Sequence, residues 1–225
     1  MAKELIKIEE EMSVNDKMIN TLNFVAFLNF SASFMAAQRR RESVESVLKI
    51  PLNLDQESAQ ILDGQSRILN WAYNRLLEIS LEARNKFIET GDKEQGRIAY
   101  SKRGLRNLLP DMKKEHQFLK SVHSSPLKNA ALRLSKSIED YQGSRKGRRK
   151  GKKTGWPKYR SWGQKFFSLL YHESKKGFKV DDRELILSAG TNAEGKRLRI
   201  TGMLEKSPFS FKDTEIRNLC GKRES

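Results

Sequence analysis

The stretch from Asp55 to Gly91 constrains the fold most, because its apolar pattern fits one long helix. Ile61, Ile68, Ala72, Leu76, Ile79, Ala83 and Phe87 recur at spacings of three, four and seven residues, which places them along one helical face. Asp55 offers an N-cap and Gly91 a stop. Such a face has to be buried against another layer of structure. A second helical stretch runs from about Glu94 to Leu109, where Pro110 is expected to end it, and a short one follows to Lys120. In "HSSPLKNAALRLSKSIEDY", Ser125 reads as an N-cap and Pro126 as the first helical residue. Leu127, Ala130, Ala131, Leu134, Ile138 and Tyr141 then make one face.

Strand signals flank this helical block. "SVLKIPL", Ser46 to Leu52, reads as an edge strand closed by Pro51. After the helices come "KFFSLLY", "KGFKV", "RELILSA" and "KRLRI", with turns at Lys176-Gly177 and Glu194-Gly195. The class is therefore α+β: a small sheet or barrel whose first strand precedes an inserted helical block. The block from Lys165 to Ile200 is expected to pair with Ser46–Leu52. Thr21–Gln38, with Phe24, Phe27, Phe30 and Phe34 on one face, is expected to form an additional amphipathic helix before the sheet. The expected boundaries are an N-terminal extension 1–45, a first strand 46–54, helices 55–142, a basic linker 143–164, strands 165–219 and a tail 220–225. Removing residues 1–40 should then leave the fold nearly intact, whereas removing 41–54 should not.

Charge is distributed unevenly. The net charge is +16, yet residues 1–50 carry seven bases and seven acids, so the excess lies after them. Seven of the nine residues from Arg145 to Lys153 are Lys or Arg, and no acid occurs between Asp140 and Glu173. A solvated surface usually mixes signs. A run of one sign, spaced by glycines, suits a sugar-phosphate backbone. Trp156, Tyr159 and Trp162 are interleaved with these bases, either to stack on unpaired bases or to anchor the loop. The same basic run also matches the composition of a localisation patch.

Other functions find little support in the sequence. The single cysteine, Cys220, excludes an internal disulfide and a Cys-rich zinc site, and fits a reducing, cytoplasmic setting. His116, His123 and His172 lack metal-ligand spacing. The 21–38 stretch carries two asparagines, two serines, a threonine and a glutamine, too polar for a membrane span. No carboxylate cluster suggests a two-metal nuclease, and "ILDGQ", Ile61–Gln65, reads as helix surface. No cofactor is implied. The chain reads as a binder without nuclease activity or bound zinc.

Four segments carry a family resemblance. "VLKIPLNLDQESAQILDGQSRILNWAYNRLLE", with its Tyr73-Asn74 pair, resembles the opening of the TnpB (OrfB) family of transposon-encoded proteins. "FLKSVHSSPLKNAALRLSKSIEDY" is similar to that family's helix pair, and "GWPKYR" followed by "FFSL" resembles its Gly-aromatic-Pro-basic-aromatic-basic element. The resemblance covers about residues 46–219. It implies a wedge-like strand domain interrupted by a helical recognition lobe, shared with type V CRISPR effectors, that grips a guide RNA and double-stranded target DNA. The family's RuvC-like nuclease half and zinc ribbon would follow, but the chain stops at "IRNLCGKRES", so no catalytic or metal-binding residue carries over. An interrupted or decayed transposon gene is expected. The alternatives are one half of a split RNA-guided endonuclease, or an unrelated basic RNA-binding scaffold. The expected nucleic-acid contacts are Arg145, Lys146, Arg148, Arg149, Lys150, Lys152, Lys153, Trp156, Lys158, Tyr159, Arg160 and Lys165.

Overall fold

The computed structural model describes residues 22–31, 45–148, 151–162, 167–172, 176–192, 194–205 and 214–223. Two strands, β1 (Leu22–Ser31) and β2 (Glu45–Leu54), precede the helices. The helices are α1 (Gln56–Thr90), α2 (Lys93–Tyr100), α3 (Lys102–Asn107), α4 (Leu109–Glu115), a 3-10 turn over Gln117–Ser121, and α5 (Ser124–Arg145). Five strands follow: β3 (Leu169–Tyr171), β4 (Phe178–Asp181), β5 (Glu184–Thr191), β6 (Arg197–Leu204) and β7 (Thr214–Arg223). The class is α+β.

The strands form one open seven-stranded sheet in the order β3-β7-β1-β2-β6-β5-β4, with β3 and β4 at its edges. β1 pairs antiparallel with both β2 and β7. β2 pairs antiparallel with β6, Leu52 opposite Leu204. The expected pairing of Ser46–Leu52 with Lys165–Ile200 is therefore replaced: Ser46–Leu52 pair with β1, and β2 meets the later strands through Leu52–Leu54 at Gly202–Leu204. Ile50, Leu52, Leu169, Tyr171, Phe178, Leu185, Leu187, Ile200 and Leu204 are buried in this unit. β5 alternates buried and half-buried residues, the period of a strand with one covered face.

Several sequence expectations change here. Residues 22–31 are a strand, not the helix expected over 21–38; Glu45 already belongs to β2, and residues 1–21 and 32–44 lie outside the described residues. Leu22, Phe24, Ala26, Leu28 and Phe30 also alternate in the sequence at period two, and the stretch is rich in aromatic residues suited to a sheet. Pairing with two neighbours decided between the two periods. β2 is interior rather than an edge strand and runs through Pro51, whose carbonyl accepts the Glu205 N–H at 3.1 Å. Cys220–Arg223, expected as a tail, belong to β7. The linker expected from 143 begins inside α5, which ends at Arg145.

Helix ends moved for chemical reasons. Pro110 stands in the first turn of α4 and so begins a helix where it was expected to stop one. The break comes at Ser101, whose hydroxyl accepts the Gly104 N–H at 2.8 Å and caps α3. α5 starts at Ser124, because the His123 imidazole Nδ1 accepts the Ser125 N–H at 3.2 Å. At α1, Asp55 does cap: its carboxylate accepts the Ser58 N–H at 2.7 Å, and that bond holds its pKa below the usual aspartate value.

The second unit comprises 65–167 with 189–198. Leu69, Ala72, Tyr73, Leu76 and Leu77 of α1 are buried there, together with Ala99, Leu105, Leu119, Leu127, Leu134 and Ile138. Of the expected stripe, Ala72, Leu76 and Ala83 are buried, whereas Ile61, Ile68, Ile79 and Phe87 are only half-buried, and the buried face extends to their neighbours Leu62, Leu69 and Ser80. That face also holds polar residues. Gln65, Ser66, Asn70 and Ser80 are all buried, so "ILDGQ" is not simply helix surface.

Candidate nucleic-acid interface

Ser and Asn are indifferent helix formers, and on α1 they are placed where other chain segments arrive. Gln65 Nε2 donates to the carbonyls of Ala189 at 2.9 Å and Ser121 at 3.1 Å. Ser66 Oγ accepts the Phe167 N–H at 2.8 Å and donates to the Phe167 carbonyl at 2.9 Å. Asn74 Oδ1 accepts the Arg160 N–H at 2.9 Å while its Nδ2 donates to the Arg160 carbonyl at 3.0 Å, and Asn70 Nδ2 adds a contact at 3.2 Å. These bonds satisfy backbone groups of the segments that reach α1. They hold the segment after the basic loop along α1. Gly190 meets the same region: a Cβ there would run into the backbone of Lys120 and Ser121, and its φ is +86°, which favours glycine.

The basic loop grows out of the end of α5. Lys146 N–H donates to Gln142 at 3.0 Å and Arg148 N–H to Gly143 at 2.9 Å, with Gly147 at φ +69°. This pattern is a glycine-terminated helix end. Gly151 then turns at φ +103°, and the Thr154 N–H reaches back to the buried Ser144 hydroxyl at 2.8 Å. The loop is therefore closed at its base by one hydrogen bond. Its arc presents Arg145, Lys146, Arg148, Lys152 and Lys153, all exposed. Arg145 lies over the Tyr141 ring at 5.4 Å. Arg149, Lys150 and Lys165 lie outside the described residues.

The aromatic residues divide by role. Trp156 is half-buried against Tyr141 at 5.1 Å and Tyr100 at 5.9 Å, with the Arg84 guanidinium 5.0 Å from its ring. It anchors the loop. Trp162 is half-buried with Arg67 5.3 Å from its ring. Tyr159 is 59% exposed and follows the exposed Lys158. Arg160 is half-buried, its guanidinium 4.8 Å from the Phe167 ring and 5.6 Å from Tyr73. Of the expected contacts, Arg145, Lys146, Arg148, Lys152, Lys153, Lys158 and Tyr159 are presented outward, whereas Trp156 and Arg160 are engaged in packing.

The polar clamps of α1 escaped the sequence reading. Their signal was present, as Gln65, Ser66, Asn70 and Ser80 interrupt an apolar face, but only the long-range partners give it meaning. Among the described residues, no group of three or more His, Cys, Asp or Glu could hold a metal ion, and no helix is long and apolar enough to cross a membrane. No protein-family model matches the chain, and no curated protein matches it.

Proposed function

We propose that this protein binds nucleic acid by gripping the phosphate backbone with the basic loop, and that its ligands are a guide RNA and its double-stranded DNA target, as in the TnpB-like resemblance. The observation that carries the reading is the loop itself. Five exposed cations sit on an arc closed by Ser144 and Thr154, with no acid between Asp140 and Glu173. The pinned base limits the ordering cost of binding, while the glycines let the arc follow a backbone. Tyr159 supplies one exposed ring for stacking beside that track. The TnpB-like part of the reading rests on the four sequence segments, with the open sheet in the place of the wedge and the helices in that of the recognition lobe. The single cysteine fits a reducing, cytoplasmic setting. The proposal is for binding alone.

Salt dependence tests it. If about seven phosphates are neutralised, log K against log salt slopes near −5 to −6. Replacing the seven bases of Arg145–Lys153 by Gln flattens most of that slope. An unchanged affinity and slope in the variant refutes the loop assignment. Preference for one structured RNA over a scrambled sequence then separates the family-like reading from a generic basic scaffold.

A further inference from the structure

The helical unit contains a second basic feature, built from elements other than the loop. A cleft of about 600 Å³ is lined by Arg106 and Asn107 of α3, Leu109, Pro110 and Lys113 of α4, and Ser124, Leu127 and Lys128 of α5. Every charged residue in its lining is a cation. The neighbouring acid, Asp111, is paired with Lys114 at 2.8 Å. Leu109 and Leu127 are buried and with Pro110 give the cleft an apolar surface, while Asn107 and Ser124 bring hydrogen-bonding groups.

Lys113 is the informative member. It is half-buried, and burial together with the Lys128 charge holds its ammonium below the usual lysine range. Two cations are brought together there, one of them partly desolvated, and none of the three cleft cations makes an ion pair among the described residues. An anion in the cleft relieves that repulsion and favours the charged form of Lys113. Three cations suit a phosphate, and the apolar lining suits a flat organic body attached to it. The volume falls within the roughly 300–1,000 Å³ of small-molecule sites.

We infer that this cleft binds a nucleotide, its phosphate among Arg106, Lys113 and Lys128 and its base against Leu109, Pro110 and Leu127. The occupant is either a free nucleotide or the 5′-phosphorylated end of a strand. The inference does not depend on the basic loop.

Calorimetric titration of the full chain with adenosine 5′-monophosphate, adenosine and inorganic phosphate tests it. The monophosphate binds the parent protein, and the other two bind at least tenfold more weakly. Lys113→Gln/Lys128→Gln weakens the monophosphate by roughly tenfold for each charge-assisted hydrogen bond lost. Its thermal melt stays cooperative, because the double change removes a like-charge contact. Arg148→Gln/Lys152→Gln/Lys153→Gln leaves monophosphate binding unchanged while lowering the salt slope on long nucleic acid, so the two proposals fail separately. A 5′-phosphorylated trinucleotide that binds more tightly than the monophosphate assigns the cleft to strand ends; the reverse order assigns it to free nucleotides. Equal binding to the parent and the cleft variant, or equal binding of inorganic phosphate and the monophosphate, overturns the inference.

Discussion

The side-chain amide of Asn74 holds both backbone groups of Arg160, accepting its N–H at 2.9 Å and donating to its carbonyl at 3.0 Å. One side chain thus does for a loop residue what a neighbouring strand does in a sheet. Asn74→Ala leaves the half-buried Arg160 N–H without its partner, which costs about 1–3 kcal/mol, while the carbonyl keeps Asn70 at 3.2 Å. Asn85→Ala, an exposed change on the same helix, shifts stability by less than about 0.5 kcal/mol. Urea unfolding of the two variants measures the difference. Equal midpoints would show that the clamp contributes nothing.

The sheet makes a different demand on the N-terminal part of the chain from the one its sequence suggested. β1 lies between β7 and β2, so deleting residues 1–40 removes an interior strand. The truncated protein loses its cooperative melt in the sheet, as does a chain lacking residues 41–54. A variant beginning at residue 20 keeps it. If the 1–40 deletion melts as sharply as the parent, the strand assignment is wrong.

The loop aromatics separate in the same assays. Trp156→Ala removes a half-buried ring from the Tyr100–Tyr141–Arg84 cluster and lowers stability by about 2–3 kcal/mol, below the cost of a fully buried ring. Tyr159→Ala leaves stability within about 0.5 kcal/mol and weakens single-stranded RNA binding by about 1–3 kcal/mol. The reverse pattern would exchange the anchor and the stacking residue.

Legibility in the sequence followed the range of the interactions. The 35-residue helix α1 was evident because its period repeats over many turns. The turn leading into β4 and the β5–β6 turn were evident because Gly177 and Gly195 mark them locally, whereas the β4–β5 turn at Asp182-Arg183 carries no glycine. β1 was not, since Phe24, Phe27 and Phe30 fit a helical face as well as a strand, and its partners lie in β2 and β7. The buried side of α1 was legible only in part, at Ala72, Leu76 and Ala83, because polar Gln65, Ser66 and Asn70 hide the rest from a purely apolar count. At the candidate interface the charge run was plain, but the inward packing of Trp156 and Arg160 depends on rings from α1, α2 and α5. The three charges lining the cleft, Arg106, Lys113 and Lys128, are scattered in the sequence and meet only through folding.

The position of β1 also bears on synthesis. The strand leaves the ribosome with β2, yet its other neighbour, β7, is made only after every other described strand of the sheet. Until then, one row of β1 backbone donors and acceptors stays unpaired, flanked by an aromatic-rich sequence, and open edges of that kind recruit other chains. Nascent chains stalled after Glu205 should therefore self-associate, whereas synthesis of β7 ends the exposure. Translation speed through the last strand thus becomes a determinant of how much protein escapes aggregation.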